Sequence, residues 1–383
     1  MADNKQNTNP NVPNLRFPEF KEVWKDSNIG KCFDLYSGNT PSRMEKEHFI
    51  GDVNWITSGE LKEHYIGDTK ERISEKAAAD NNLRILPVGT FVMAIYGLEA
   101  EGVRGTCSII VKTSTISQAC MAFTPKSNVS NEFLYSWYKK HGNKIGIRYA
   151  QGTKQQNLSY DIIEKFPIRY PSIEEQEKLN TFISLLDSRI ATQNKIIQQL
   201  QSLIKGIREN LFSFDNYSIK YLGELCSITT GKLDANAMVE NGKYPFFTCA
   251  EDTFRIDEYA FDTEALLISG NGANLGYIHY YNGKFNAYQR TYVLDKFAID
   301  VMYIKYYLET FLNKRINQEV NVGNTPYIVL STLTKMKIKI PDISQQRNII
   351  NVLSNLNLKL NQEKDILSAY QTQKAYLLRN LFI

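Results

Sequence analysis

Two stretches of the chain repeat apolar residues at alternating steps of three and four positions. The seam of the first stretch comprises Leu179, Phe182, Leu186, Ile190, Ile197, Leu200, Ile204, Ile207 and Leu211. This heptad spacing predicts a long helix, which Ser172 or Glu174 opens after the helix-stopping Pro171. The same seam recurs 170 residues later, after Pro341, with Ser344 as the opening residue. A helix of about 39 residues is about 58 Å long, so each is expected to need a packing partner.

A repeat covers the chain. Residues 170–212 align with residues 340–382 without a gap, and residues 28–39 resemble residues 221–232. In each half, short β-rich runs punctuated by glycine and an aromatic helix precede the long helix. We therefore predict an α+β fold, with two mixed α/β domains separated by two long helices that pair antiparallel as an intramolecular coiled coil, about a pseudo-two-fold axis. The predicted segments are a disordered polar tail at 1–19, domains at 20–171 and 217–341, and helices at 172–213 and 342–383.

One polar residue interrupts each apolar seam near the midpoint of its helix, Gln193 in the first and Glu363 in the second. If the helices run antiparallel, these two side chains meet near the centre and fix the register at a cost in stability. The alternative is that they are two unrelated, solvated positions.

Composition narrows the class of protein. A chain of 383 residues is too long for one ordinary hydrophobic core, so at least two domains are expected. Its net charge of +4 permits a nucleic-acid partner without requiring one. The five cysteines are scattered, and the four histidines lack metal-ligand spacing, so we expect no disulfide and no metal site. The polar start and the lack of an apolar run of about 18 residues favour a cytoplasmic protein without membrane contact.

A glycine-rich stretch from Gly270 to Gly276 follows an apolar strand and invites a dinucleotide or S-adenosylmethionine interpretation. That fingerprint requires a helix immediately afterwards, whereas residues 277–283 alternate as a strand does. The first half has a glycine loop at the same place, residues 97–105. We interpret both as recognition loops on a shared scaffold.

Asn324-Thr325-Pro326-Tyr327 is one letter away from the Asn-Pro-Pro-Tyr loop with which amino-methyltransferases hold a flipped base. The first half has "AQGTKQQNLS" at 150–159 instead, with Leu158-Ser159 aligned to Leu330-Ser331. Because the motif does not survive this comparison, residues 323–327 are interpreted as a turn. We predict no catalytic residue and no cofactor bound by this chain.

Several motifs resemble the specificity subunit of type I restriction-modification systems. They are "PNLRFPEFKEVW" at 13–24, the junctions "LSYDIIEKFPIRYPSIEEQEKL" and "LSTLTKMKIKIPDISQQRNI", and "NLF" at the end of each long helix. The resemblance implies a non-catalytic subunit whose two target recognition domains each read one half of a bipartite, asymmetric double-stranded DNA sequence. It implies helices that set the spacing and dock two adenine methyltransferase (modification) subunits, alongside two ATP-dependent restriction subunits. S-adenosylmethionine, ATP and Mg²⁺ would then be bound by those partners.

Polar, basic and aromatic residues near the glycine loops and turns are the candidates for reading DNA. In the first domain they are Ser58, Glu60, Tyr96, Arg104, Lys154 and Gln155, and in the second Asn271, Asn274, Gln289, Arg290, Asn324 and Tyr327. For each, the alternative is a surface residue without a base contact. Two other functions stay open, a stand-alone DNA-binding or scaffold protein and a self-sufficient methyltransferase or nuclease.

Overall fold

The computed structural model describes residues 10–100, 102–152, 156–319 and 327–383. The chain divides into two compact units, one of residues 1–193 with 366–383 and one of residues 194–365. Both divisions fall inside the long helices, so each unit contains a globular part and one portion of each helix.

The elements follow the repeat. Up to residue 211 they are β1 (Lys25–Asn28), α1 (Ile29–Cys32), β2 (Phe33–Ser37), β3 (Val53–Ile56), β4 (Tyr65–Ile66), β5 (Arg72–Ile73), α2 (Glu75–Asp80), β6 (Phe91–Ala94), β7 (Cys107–Ile110), β8 (Ser114–Ile116), β9 (Cys120–Pro125), α3 (Asn131–Tyr149), α4 (Tyr160–Glu164), β10 (Pro167–Tyr170) and α5 (Ile173–Leu211). From residue 218 they are β11 (Ser218–Tyr221), α6 (Leu222–Leu225), β12 (Ser227–Thr230), β13 (Tyr244–Phe247), β14 (Phe254–Ile256), β15 (Phe261–Ser269), β16 (Ile278–Ala287), β17 (Thr291–Asp295), α7 (Val301–Glu319), α8 (Leu330–Thr334), β18 (Lys337–Ile340) and α9 (Ile343–Leu381). Short 3₁₀ helices lie at Lys46–Phe49, Ser58–Glu60 and Ala235–Ala237.

The two long helices have 39 residues each. At the start of α5 the Ser172 hydroxyl accepts a hydrogen bond from the Glu175 amide (3.4 Å), as an N-cap residue does. At the start of α9 the Asp342 carboxylate accepts one from the Gln345 amide (2.9 Å). The prediction that Ser344 opens α9 is therefore wrong, because Asp342 already caps the helix. None of the helices that the structure describes carries an apolar stretch long enough to cross a membrane.

The buried stripe of each long helix differs from the predicted seam at one step. Phe182 is 37% exposed and its ring lies edge-on to Phe17 (5.8 Å), while Ile183 is 2% exposed. In α9 the residue at the same position as Ile183 is Leu353, which is fully buried. Both side chains belong to the core of a globular part. Packing against that globular part, as well as against another helix, therefore determines which residues of each long helix are buried.

The main sheets of the two units share four strands in the same order. The first unit has the order β2-β9-β6-β7-β4, and the second has β12-β17-β15-β16-β13-β14. An additional three-stranded sheet, β5-β3-β8, is present in the first unit. Two-stranded ribbons join β1 to β10 and β11 to β18, and α5 and α9 begin shortly after them. The repeat thus keeps the scaffold and varies what is attached to it.

The repeat offset of 170 residues extends further upstream than the sequence alignment proposed. The helices α3 and α7, and likewise α4 and α8, begin 170 residues apart. Leu158 and Ile328 are both buried at equivalent places before α4 and α8. The alignment of Leu158-Ser159 with Leu330-Ser331 was therefore wrong by two residues, because two leucine-serine pairs happen to lie close to the true register.

Portions of both long helices pack within each unit. In the first unit, Leu179 and Leu381 enter the same core, and the Lys374 ammonium forms an ion pair with the Asp187 carboxylate. In the second unit, Leu211 packs against the other large core, which contains Ile349. The early part of α5 thus accompanies the late part of α9, and the late part of α5 accompanies the early part of α9.

Both polar residues of the seams are buried. Gln193 and Glu363 are each 7% exposed, and the Glu363 carboxylate accepts an ion pair from Lys359 (2.6 Å). The solvated alternative does not hold for either side chain. Their mutual pairing stays a prediction.

Candidate nucleic-acid interface

Three backbone segments of the first unit meet at the end of β6, the central strand of the main sheet. The Ile95 amide, just after β6, donates to the Ala119 carbonyl in the turn before β9 (2.9 Å). The Ile95 carbonyl accepts from the Leu158 amide (2.8 Å), in the segment that leads into α4. Ile95 is therefore held from both sides, and the residues after it start the glycine loop.

The second unit repeats this arrangement at the end of β15. The Gly270 amide donates to the Arg290 carbonyl (2.9 Å), and the Gly270 carbonyl accepts from the Ile328 amide (2.8 Å). Asn271 also pairs with Tyr327 as an isolated antiparallel bridge. We call these two places the loop edges: residues 95–100, 102–105, 117–120 and 156–158 in the first unit, and residues 270–276, 288–291 and 327–328 in the second.

The same close approach of two backbone segments occurs beside the turn of each loop edge. A Cβ on Gly38 would overlap the Ile116 carbonyl oxygen, and a Cβ on Gly231 would overlap the Ala287 carbonyl oxygen. Only glycine lets the end of β2 or β12 lie this close to the neighbouring turn. The paired glycines that the repeat alignment matched thus have the same physical role.

The predicted residues of the second unit gather at its loop edge. Arg290 and Gln289 occupy the exposed turn between β16 and β17, and Gln289 donates to the Asp234 carboxylate (2.7 Å). Asn274 donates to the Cys249 carbonyl (3.3 Å), so its amide is used to hold the glycine loop. Tyr327 is 60% exposed beside Asn271.

In the first unit, Tyr96 and Arg104 lie in the glycine loop of the edge and are half-buried. The Arg104 guanidinium donates to the Gln156 side-chain oxygen (2.8 Å), while the Gln156 amide donates to the Glu99 carboxylate (2.7 Å). This amide, with the positive charge of Arg104 as a smaller cause, lowers the pKa of the Glu99 carboxyl. The network ties the glycine loop to the segment before α4.

Ser58 and Glu60 lie in the 3₁₀ turn after β3, and Ile56 at the end of that strand accepts from the Ser117 amide (2.8 Å). The Glu60 carboxylate accepts from the amides of Thr57 (3.0 Å) and Lys70 (2.7 Å). Glu60 therefore stabilises its own loop, and Ser58 is the better placed of the two to contact a ligand. Lys154, Gln155 and Asn324 lie outside the described residues.

Sequence reasoning missed two exposed polar residues, one in the loop edge of the first unit and one beside the loop edge of the second. Gln118 occupies the turn of the first unit at the place that Gln289 has in the second, and Lys232 follows the close-approach glycine Gly231. The sequence contained a signal for both residues, because the alignment of Gly38 with Gly231 places the neighbouring segments of the two units at equivalent positions. It was not used because a turn of four residues is too short to align without the strands on either side.

The described ranges contain no group of three or more His, Cys, Asp or Glu side chains that could hold a metal ion. The loop edges instead present exposed amide and guanidinium groups on a fixed backbone, and Lys232 adds an ammonium group beside the second one. Such groups bind phosphates and the edges of bases.

A family model described as the type I restriction modification DNA specificity domain matches residues 21–202 and 215–368. The chain therefore belongs to the family of type I restriction-modification specificity subunits. It is 26% identical, over an alignment of 418 residues, to the MjaIX specificity subunit of Methanocaldococcus jannaschii, covering 95% of this chain and 96% of that one. It is 41% identical over 143 residues to the EcoDI specificity subunit of Escherichia coli, a match that spans 37% of this chain and 32% of that protein.

Solved structures agree on the fold. The specificity subunit of M. genitalium superposes with a TM-score of 0.62 at 20% identity, covering 97% of this chain and 99% of that one. A chain from a study of complex assembly and conformational transition in the type I system gives 0.61 at 15% identity, covering 94% and 97%. The mixed α/β character predicted from the sequence is thereby confirmed.

Proposed function

We propose that this chain is the DNA sequence-specificity subunit of a type I restriction-modification complex, and that each unit reads one half of a bipartite, asymmetric double-stranded target. The observation that carries the proposal is the loop edge. It occurs once in each unit with equivalent backbone hydrogen bonds, at Ile95 and at Gly270, but with different exposed side chains. A shared scaffold with different side chains suits two readers of unlike sequences.

The side chains suit base recognition. Arginine can donate two hydrogen bonds to the major-groove edge of guanine, and glutamine can pair in the same way with adenine. Arg290 and Gln289 lie next to each other in one exposed turn, and Gln118 lies in the equivalent turn. Lys232, at the neighbouring strand end, is suited to a phosphate contact that positions the turn.

The long helices are proposed to form the spacer between the two readers. The distribution of their portions between the two units supports antiparallel pairing as an intramolecular coiled coil with pseudo-two-fold symmetry, and Gln193 and Glu363 would fix its register. Two modification subunits would dock on these helices in opposite orientations, and two restriction subunits would complete the complex. In this arrangement the chain is non-catalytic, and S-adenosylmethionine, ATP and Mg²⁺ are bound by its partners.

A domain exchange tests the assignment of half-sites. Residues 25–155 are replaced by the corresponding domain of another family member, the variant is expressed with its modification subunit, and methylated adenines are mapped by sequencing. We expect one half of the recognised sequence to change and the other half and the gap to stay the same. A change in both halves would refute the modular assignment.

The spacer role has its own test. Inserting four residues into each long helix is expected to widen the gap between the halves while both half-sequences stay the same. An altered half-sequence with an unaltered gap would contradict the spacer. Methyl transfer by the purified chain alone would favour a self-sufficient enzyme, and failure to co-purify with a modification subunit would favour a stand-alone DNA-binding protein.

A further inference from the structure

A groove in the first unit lies between α3 and β10. Its volume is about 290 Å³. The apolar floor of the groove consists of Trp137, Ile145 and Phe166. Its basic rim consists of Lys144, Arg148 and Arg169. The three floor residues are 5–8% exposed, so the floor is part of the core. The groove thus combines aromatic surface with positive charge.

The equivalent surface of the second unit carries a segment of the chain itself. Residues 213–217 lead from α5 into β11. The Lys339 ammonium lies over the Tyr217 ring, 4.5 Å from its centroid, and Phe214 lies edge-on to Tyr217 at 5.7 Å. Phe214 also packs against the core that contains Tyr307.

The repeat relates these two surfaces. At the offset of 170 residues, Tyr307 and Lys339 correspond to Trp137 and Arg169 of the groove. The second unit therefore displays what the groove is suited to hold, a segment that bends at Asp215 and Asn216 and brings two aromatic rings three positions apart into contact. The segment also contains Asp215, whose negative charge matches the basic rim.

We propose that this groove is a binding site for a bent peptide segment of a partner protein with the pattern aromatic–acidic–any–aromatic, as in Phe214-Asp215-Asn216-Tyr217. The two rings would cover the floor beside Trp137, and the acidic residue would lie among the rim cations. Asp26 holds the Arg169 guanidinium in place through an ion pair (2.7 Å). This inference is independent of how the loop edges read DNA.

The test uses the full chain and a fluorescein-labelled peptide Ser-Phe-Asp-Asn-Tyr, followed by fluorescence anisotropy. We expect saturable binding with a Kd of about 0.1–1 mM, since two aromatic anchors act on a small surface. Replacing both rings of the peptide by alanine should weaken binding about tenfold or more. Charge reversal of the rim, K144E with R148E, should also weaken it about tenfold, while the exposed control K62E should not. Absence of saturable binding, or binding indifferent to the rings or the rim, overturns the proposal.

A second variant avoids dependence on a weak peptide. Ile383 corresponds to Ser213, so the chain is extended after Ile383 by Phe-Asp-Asn-Tyr, with Ala-Asp-Asn-Ala as the matched control. The tethered aromatic segment is expected to raise Tm relative to the control and to abolish binding of the free peptide, because tethering supplies an effective concentration in the millimolar range. Equal Tm values with unchanged peptide binding would overturn the proposal. So would peptide binding that appears only after deletion of residues 1–9, since the groove would then belong to the chain's own N-terminal segment.

Discussion

The ion pair between Arg16 and Glu175 ties the N-terminal segment to the first turn of α5. The Arg16 guanidinium donates to both carboxylate oxygens, at 2.8 and 2.6 Å. The Glu175 side chain is 2% exposed and that of Arg16 is 12% exposed. The Trp24 indole also donates to this carboxylate (3.3 Å). Removing the guanidinium would leave a buried negative charge with one weak neutral donor.

Arg16→Met keeps the length of the side chain and removes its charge. Breaking a buried pair from one side costs about 3–5 kcal/mol, because the remaining charge is uncompensated. For a unit of this size, 1 kcal/mol shifts Tm by about 2–4 °C, so we expect Tm to fall by about 6–20 °C. Thermal unfolding followed by circular dichroism measures this, and hydrogen exchange should show faster opening of the first turns of α5.

The repeat supplies the matched control. Gln345 stands in α9 where Glu175 stands in α5, so Glu175→Gln introduces the residue that the second unit already uses. The double variant R16M/E175Q should recover at least half of the loss, because it removes the stranded charge. If the double variant is no more stable than R16M alone, the cost does not come from an uncompensated carboxylate and the reasoning is refuted.

Three further predictions follow from packing and burial. Gly38→Ala should alter recognition of one half-site and Gly231→Ala the other, since each added Cβ overlaps a turn carbonyl; mapping of methylated adenines checks this. Ile183→Ala should lower the free energy of unfolding by about 2–5 kcal/mol, and Phe182→Ala by clearly less because that ring is 37% exposed; equal losses in denaturant unfolding would contradict the buried stripe. Burial lowers the pKa of His141 to about 4, so the unfolded chain binds a proton from pH 6.5 downward while the folded chain does not; stability should fall by about 2–3 kcal/mol between pH 6.5 and 4, and less in His141→Asn.

The sequence alone could predict the features that repeat over long stretches. The 43 aligned residues with a heptad seam locate α5 and α9 within two residues of their observed ends, because many weak signals add along a helix. The matched glycines Gly38 and Gly231 were also visible. Their physical role was not, since it depends on carbonyl groups that are about 55–80 residues away along the chain.

Features that depend on the position of one side chain were harder to predict. The heptad pattern predicts the buried residues for a helix that packs against one other helix, and it therefore predicted burial of Phe182. In the structure, Ile183 is buried instead because it packs in the globular core of the first unit. The serine at 344 resembled a cap as well as Asp342 did, and only the observed hydrogen bond from Gln345 distinguishes them. The loop edge joins three segments that are far apart in sequence, and no local sequence pattern predicts that they lie next to one another.

The double anchoring of Ile95 and Gly270 has a consequence for how this kind of molecule changes over time. Each residue is fastened through its main chain on two sides, so replacing the exposed side chains nearby costs the framework little. The exposed side chains at these places can therefore change while the backbone framework stays the same. The side chains are interchangeable because the hydrogen bonds that hold this part of the molecule are made by the main chain.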